Sequence, residues 1–236
     1  MTRIRTTTAV VLLVLAAGSA PASALGADPP VLSHPAGSHF STKIDNPWSP
    51  MRAGTRWYFV GHTDEGTEHT RVTVLRRTKV VDGVRCVVVH DVTHRRGKLL
   101  ENTYDWFAQD HRGRVWYFGE NTVAYDAGHA SREGSWRAGR HGARAGIVML
   151  AHPHVGDAYR QEYRKGVAED QARVLSMSGR ADVPYGRMRG LLKTRDFSRL
   201  EPNGDEHKLY AKGVGVVLED AVHEHDRTEL VRMTWR

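Results

Sequence analysis

The sequence predicts a mainly β protein: one curved antiparallel sheet, half-barrel or barrel-like, made of two sequential meanders with a long irregular loop between them. Three observations carry this expectation. Runs of β-prone residues recur along the chain between glycine-bearing turns, the pattern of consecutive antiparallel strands. Within residues 101–120, ENTYDWFAQDHRGRVWYFGE, two aromatic-rich runs flank the turn Asp110-His111-Arg112-Gly113 and read as a hairpin. The chain also echoes itself, since Gly83 and Gly186 are 103 residues apart and so are Ala108 and Ala211. In each half a glycine turn leads to an apolar strand, a polar linker and an aromatic-containing strand, as a duplicated meander would. A sheet of about ten twisted strands tends to curl or close.

In chain order, Arg3 and Arg5 precede the apolar run 9–17, and Ala22-Ser23-Ala24 follows. This is the pattern of a secretory signal peptide over 1–24, with an apolar core too short to span a bilayer. No cysteine lies near the cleavage position, so a lipid anchor is disfavoured, and the expected location is secreted or extracytoplasmic. Residues 25–45, rich in Pro, Gly, Ala and Ser, read as a flexible mature N-terminus. The rest, 46–236, reads as a single β domain. Its first meander, 55–119, contains a strand over 55–61, a hairpin of 71–81 with 84–94 around Asp82-Gly83, and the aromatic hairpin. A glycine-rich connection, 120–156, reads as irregular, a length that marks a lid, binding loop or link. Its second meander, 157–236, shows strand-like alternation over 158–164, 172–177, 188–197, 208–211, 214–219 and 228–235. Periodicity alone leaves 168–177 open as a short helix.

The formal net charge is +7, and +7 − 2 = +5 without Arg3 and Arg5. Basic residues are mostly interleaved with acids. The exception is 132–144, where Arg132, Arg137, Arg140 and Arg144 accompany only Glu133. Such a loop could meet an anionic cell-envelope polymer, although a mobile charged loop explains it as simply. An exported chain without a recognised nucleic-acid motif is not expected to bind nucleic acid. No membrane span is expected after the signal. Cys86 is the one cysteine, so no intramolecular disulfide forms, and its apolar setting reads as a buried hydrophobe.

The central hairpin supplies the candidate site. With Gln109 opposite Arg114, one face carries Tyr104, Trp106, Ala108, Val115 and Tyr117. The other carries Asp105, Phe107, Gln109, Arg114, Trp116, Phe118 and Glu120. Aromatic surface with a few convergent polar groups resembles a small-molecule pocket. The expected ligand-binding residues are Asp105, Trp106, Phe107, Trp116, Phe118, Glu120 and Tyr163, with Asp105 and Glu120 as polar anchors. The leading expectation is a non-enzymatic binding protein for an apolar or amphipathic small molecule or lipid. In that register Asp105 lies diagonal to Glu120, roughly 7–8 Å away. The two carboxylates could then serve a hydrolase or isomerase as acid and base, with or without a cation. Of the histidine pairs, His152 with His154 is a weak metal candidate, since zinc catalysis needs a third ligand that cannot be named. No nucleophile elbow, phosphate loop or dinucleotide fingerprint occurs, and no cofactor is implied.

The phrases NPWSPMRAGTRWYF, YDWFAQDHRGRVWYFGE, VGDAYRQEYRKGVAED and LYAKGVGVVLE resemble a family of exported bacterial proteins with no assigned activity. DWFAQD…VWYFGE is the most specific part, and the likeness spans nearly the whole mature chain. The meander architecture is also similar to the half-barrels of bacterial lipoprotein carriers. That likeness implies an apolar concavity for acyl chains and nothing about mechanism.

Overall fold

The computed structural model describes residues 28–126 and 128–235, so the signal-peptide reading of 1–24 lies outside the described residues. A short 3-10 helix (Gly37–His39) leads into β1 (Phe40–Ser41). The first meander is β2 (Arg56–Thr63), β3 (Gly66–Val81), β4 (Val84–Arg95), β5 (Lys98–Asp110) and β6 (Val115–Asp126). Two short strands, β7 (His129–Ser131) and β8 (Trp136–Arg137), then pair back on β6 before β9 (Arg144–Met149). The connection 120–156 is therefore not the irregular loop its glycines imply. Those glycines serve turns between short strands, as at Gly128, Gly139 and Gly142, each with positive φ.

The second meander comprises β10 (Ala158–Arg160), β11 (Glu162–Tyr163), β12 (Gln171–Val183), β13 (Gly186–Ser198), β14 (Glu201–Ala211), β15 (Gly215–Ala221) and β16 (Arg227–Thr234). The helical alternative for 168–177 gives way to β12, which pairs with β13 along most of its length. Every named pairing is antiparallel. The path through the sheet is β10-β12-β13-β14-β15-β16-β2-β3-β4-β5-β6-β9-β11. The two meanders meet where β16 pairs with β2, setting Leu230 opposite Phe59 and Met233 opposite Trp57.

The two ends of that path are neighbours in the chain. β10 pairs with β12, β11 pairs with β9, and Gln161 alone separates them. One kinked strand thus changes partners at Gln161, and the sheet becomes nearly closed and barrel-shaped. The close approach needs glycine: a Cβ on Gly146 of β9 would lie 2.4 Å from the Gln161 carbonyl oxygen.

Alternation sends every second side chain inward, and the interior falls into two layers. Phe59, Val72, Val89 and Phe107 form an apolar layer on β2 to β5. Two residues further along the same inward faces stand Thr70, Asp91 and Asp105, all buried. A two-residue step along a strand spans roughly 7 Å, but across strands the layers touch, with Asp91 opposite Val72 and Asp105 opposite Val89. One end of the apolar layer is covered by Ser49, Pro50 and Met51. Gln109 holds that segment by accepting hydrogen bonds from the backbone N–H groups of Asp45 and Asn46, at 3.0 and 2.8 Å.

Candidate functional site

The aromatic hairpin pairs in a register other than the expected one. Gln109 opposes Val115, Ala108 opposes Trp116, and Phe107 opposes Tyr117. A bulge at Phe118-Gly119 then inserts one extra residue into β6, and Asp105 comes directly opposite Glu120. Gly119 makes this possible with φ of 119°; a Cβ there would sit 2.4 Å from the Trp136 carbonyl oxygen.

The combined shift sorts the expected ligand-binding residues onto two sides of the sheet. Asp105, Phe107 and Glu120 face the barrel interior together with Tyr117. Phe107 stacks on Tyr117 at 4.8 Å between centroids, and the Tyr117 hydroxyl donates a 2.8 Å hydrogen bond to Asp105 Oδ1. Trp106, Trp116 and Phe118 face outward and do not line the interior. Phe118 packs edge-on against Phe40 and His34, Trp116 packs against Phe40, and the Lys79 ammonium stands 3.6 Å over the Trp106 ring. Residues 34–41 are therefore a packed strap over these aromatics, with β1 paired to β5, where composition alone reads as a flexible terminus. Tyr163 also stands away from the interior acids, its ring 5.4 Å from the Arg160 guanidinium. The loop arginines Arg132, Arg140 and Arg144 are exposed and Arg137 is half-buried. His154 lies exposed, 3.6 Å from Asp157. No group of three His, Cys, Asp or Glu side chains among the described residues has the arrangement to hold a metal ion.

Inside the barrel, the apolar layer forms a partly open cavity of about 70 Å³ lined by Met51, Trp57, Phe59, Val72, Val89, Phe107 and Tyr210. Two polar side chains, Gln161 and Lys208, also reach it. The Gln161 amide nitrogen donates to Asp196 Oδ2 at 3.0 Å, while its Oε1 is buried without a hydrogen-bond partner. Lys208 is buried among Glu206, Asp196 and Glu219, at 2.8, 3.5 and 3.8 Å. Burial alone would lower its pKa, but Glu206, Glu219 and Asp196 outweigh burial and hold it well above the usual lysine value.

The polar layer is rich in carboxylic acids. Asp91 comes from β4, Glu101 and Asp105 from β5, Glu120 from β6 and Glu162 from β11, and each is buried. Burial is the largest cause of the upward pKa shift of all five. Their mutual repulsion adds to it, with Glu101 acting on Asp91, Asp105 and Glu120. Glu101 is pushed up to about 7, a hydrogen bond from Thr103 holding it back. The other four go well above the ordinary carboxyl range. An ionised acid costs too much in this setting, so these groups hold protons near neutrality. Asp91 Oδ2 and Asp105 Oδ2 have no hydrogen-bond partner among the described residues, while the Trp136 indole and the Asp170 backbone stand close enough to Glu162 to hold its pKa back.

Sequence reasoning found the Asp105–Glu120 pair and the 159–163 stretch as a polar rim, and missed Asp91, Glu101 and Lys208. An available signal was Val89-His90-Asp91 beside Asp105-Trp106-Phe107, where an acid shares an alternation phase with large apolar residues. Alternation puts Gln161 and Glu162 on opposite faces, but the strand kinks between them and both side chains reach the interior.

No protein-family model and no curated protein matches the chain. Among solved structures, one similar chain is a Bacteroides fragilis protein described as exported, with a YMCC-like fold. It shares 13% identity at a TM-score of 0.47, over 79% of this chain and 98% of that chain. Another is a Parabacteroides distasonis protein described as a lipoprotein, with 13% identity, a TM-score of 0.42 and the same 79% and 98% coverage. Likeness of this degree concerns the course of the chain, and nothing about the site follows from it.

Proposed function

We propose that the protein is an extracytoplasmic, non-enzymatic binding protein that holds an amphipathic small molecule inside its barrel. The observation that carries this reading is the apolar cavity set one strand step from a layer of buried acids. Concave apolar walls with a few convergent polar groups are the usual form of a small-molecule site. The secretory pattern at Arg3, Arg5 and Ala22-Ser23-Ala24 supports the location. The site moves inward from the expected aromatic cluster: Phe107, Asp105 and Glu120 stay in it, while Trp116 and Phe118 meet the strap and Trp106 lies under Lys79.

Native mass spectrometry of freshly purified protein tests this. The expected result is a bound small molecule that is lost from Val89→Phe, which fills the cavity, with thermal unfolding used to verify that the variant folds. Overpacking a core position costs about 1–3 kcal/mol, which the fold should survive. An unliganded mass throughout, or the same adduct in the filled variant, would contradict it.

Asp105 directly opposite Glu120 favours one second reading, an acid–base hydrolase or isomerase. Two adjacent acids with raised pKa values are the material of such chemistry. That reading requires a bound molecule to change mass on incubation and Asp105→Asn to stop the change. Binding without turnover decides for the first.

A further inference from the structure

We propose that the polar head of the bound molecule is a protonated amine, seated among Asp91, Asp105 and Glu162. The inference rests on the binding-protein reading and specifies the ligand class of that same site. The unpartnered atoms of this layer include the acceptors Asp91 Oδ2 and Asp105 Oδ2 and, from the cavity wall, Gln161 Oε1. Gln161 is an independent witness, since it is not an acid, is 4% exposed and lines the cavity. The buried donors nearby, the Trp136 indole and the Tyr159 hydroxyl, are neutral, and the indole already turns to Glu162. A head group that offers several N–H donors satisfies such a surface; one that brings further acceptors does not.

Charge decides between cation and anion. Lys208 is the cationic side chain at the cavity, and three carboxylates already surround it. An anionic head arriving there finds that lysine already offset, whereas a cationic head gains a counter-charge when one acid of the layer gives up its proton. Geometry decides between an organic cation and a metal ion, because no three acidic or histidine side chains are placed to chelate one among the described residues. An ammonium makes separate hydrogen bonds in different directions and does not require chelating geometry. A short body against Phe107 in the cavity then puts the amine one strand step along, at Asp105.

Binding is coupled to protons. The groups around Asp105 are Asp91, Glu101, Tyr117, Glu120 and Glu162, with Glu68 and Glu219 further round the barrel and Lys208 beyond Glu219. When a protonated amine enters, one carboxyl O–H bond breaks, the proton leaves to solvent and the new carboxylate accepts an N–H from the ligand. One proton is released for each cation bound, so affinity rises with pH below the pKa of the amine.

Isothermal titration of phenethylamine, phenethyl alcohol and phenylpropanoate, at about pH 6 and pH 8 in buffers of different ionisation enthalpy, tests the proposal. We expect the amine to bind about tenfold or more tighter than phenylpropanoate, to bind tighter at the higher pH, and to release close to one proton. Asp105→Asn keeps an acceptor for Tyr117, so the fold should persist by thermal unfolding. It should weaken the amine about tenfold and reduce the protons released on binding. If the alcohol or phenylpropanoate binds as well as the amine, the amine assignment is overturned and the pocket stands. If none of the three binds, the pocket reading falls with it.

Discussion

Asp105 and Asp110 lie on the same strand, and the fold treats their charges in opposite ways. Asp110 caps the hairpin turn. Its Oδ1 accepts from the Arg112 and Arg114 backbone, and its Oδ2 accepts from the Arg114 guanidinium at 2.7 Å and the Trp116 indole at 2.9 Å. Burial pushes its pKa up, but the bonds from Trp116 and Arg114 outweigh burial and leave it below the ordinary value. Its contribution to stability is present above the unfolded carboxyl pKa, about 3.9, and fades as pH falls through the lower folded value. Asp110→Ala should therefore cost about 2–4 kcal/mol in urea unfolding at neutral pH, with the cost shrinking in acid. Asp105 has the reverse sign, since its folded pKa is raised. Asp105→Asn removes the charge that must be suppressed, so at about pH 8 its melting temperature should equal or exceed that of the parent. A large loss would show that the acid is required for folding. From sequence alone the two aspartates look alike, because what separates them is which face each occupies.

At the scale of elements, local bulges and kinks decide what the interior contains. The extra residue at Phe118-Gly119 reverses the phase of β6, so Tyr117 and Glu120 share a face although they are an odd number of positions apart. Simple alternation cannot detect this, and it groups Trp116 and Phe118 with Asp105. The kink at Gln161 has the same consequence for Gln161 and Glu162. The long strands were legible because their apolar positions repeat over many residues, whereas β10 and β11 are three and two residues long. The closing strand depends on Gly146. Gly146→Ala places a methyl group 2.4 Å from the Gln161 carbonyl oxygen, and the β9–β11 pairing must open to admit it. We expect a loss of about 1–3 kcal/mol together with faster hydrogen exchange on β9 and β11. Unchanged exchange there would mean that the seam does not hold the barrel.

For the whole molecule, an acid-filled interior sets an unusual dependence on pH. Glu101 titrates near 7 in the fold against roughly 4.3 in the unfolded chain. The folded state therefore binds more protons between those values, and stability falls as pH rises through that window. Asp91, Asp105, Glu120 and Glu162 extend the same slope upward. Calorimetry should give a higher melting temperature at about pH 5 than at about pH 8, and a cationic ligand should restore stability at the higher pH. The antiparallel architecture was readable in the chain through its recurring strands and turns. The barrel-like curl was readable too, from the number of twisted strands; where the sheet closes was not, because the seam depends on the six-residue stretch 158–163 pairing on both sides.

The most direct measurement of the central claim is a crystal structure grown at about pH 8 with 4-bromophenethylamine, located by the anomalous signal of its bromine. The account predicts a bromine between Phe59 and Phe107 in the apolar layer, with the amine nitrogen within hydrogen-bonding distance of Asp105 or Glu162. A bromine on the outer face beside Trp106 and Trp116, or an interior with no bound molecule, would contradict it.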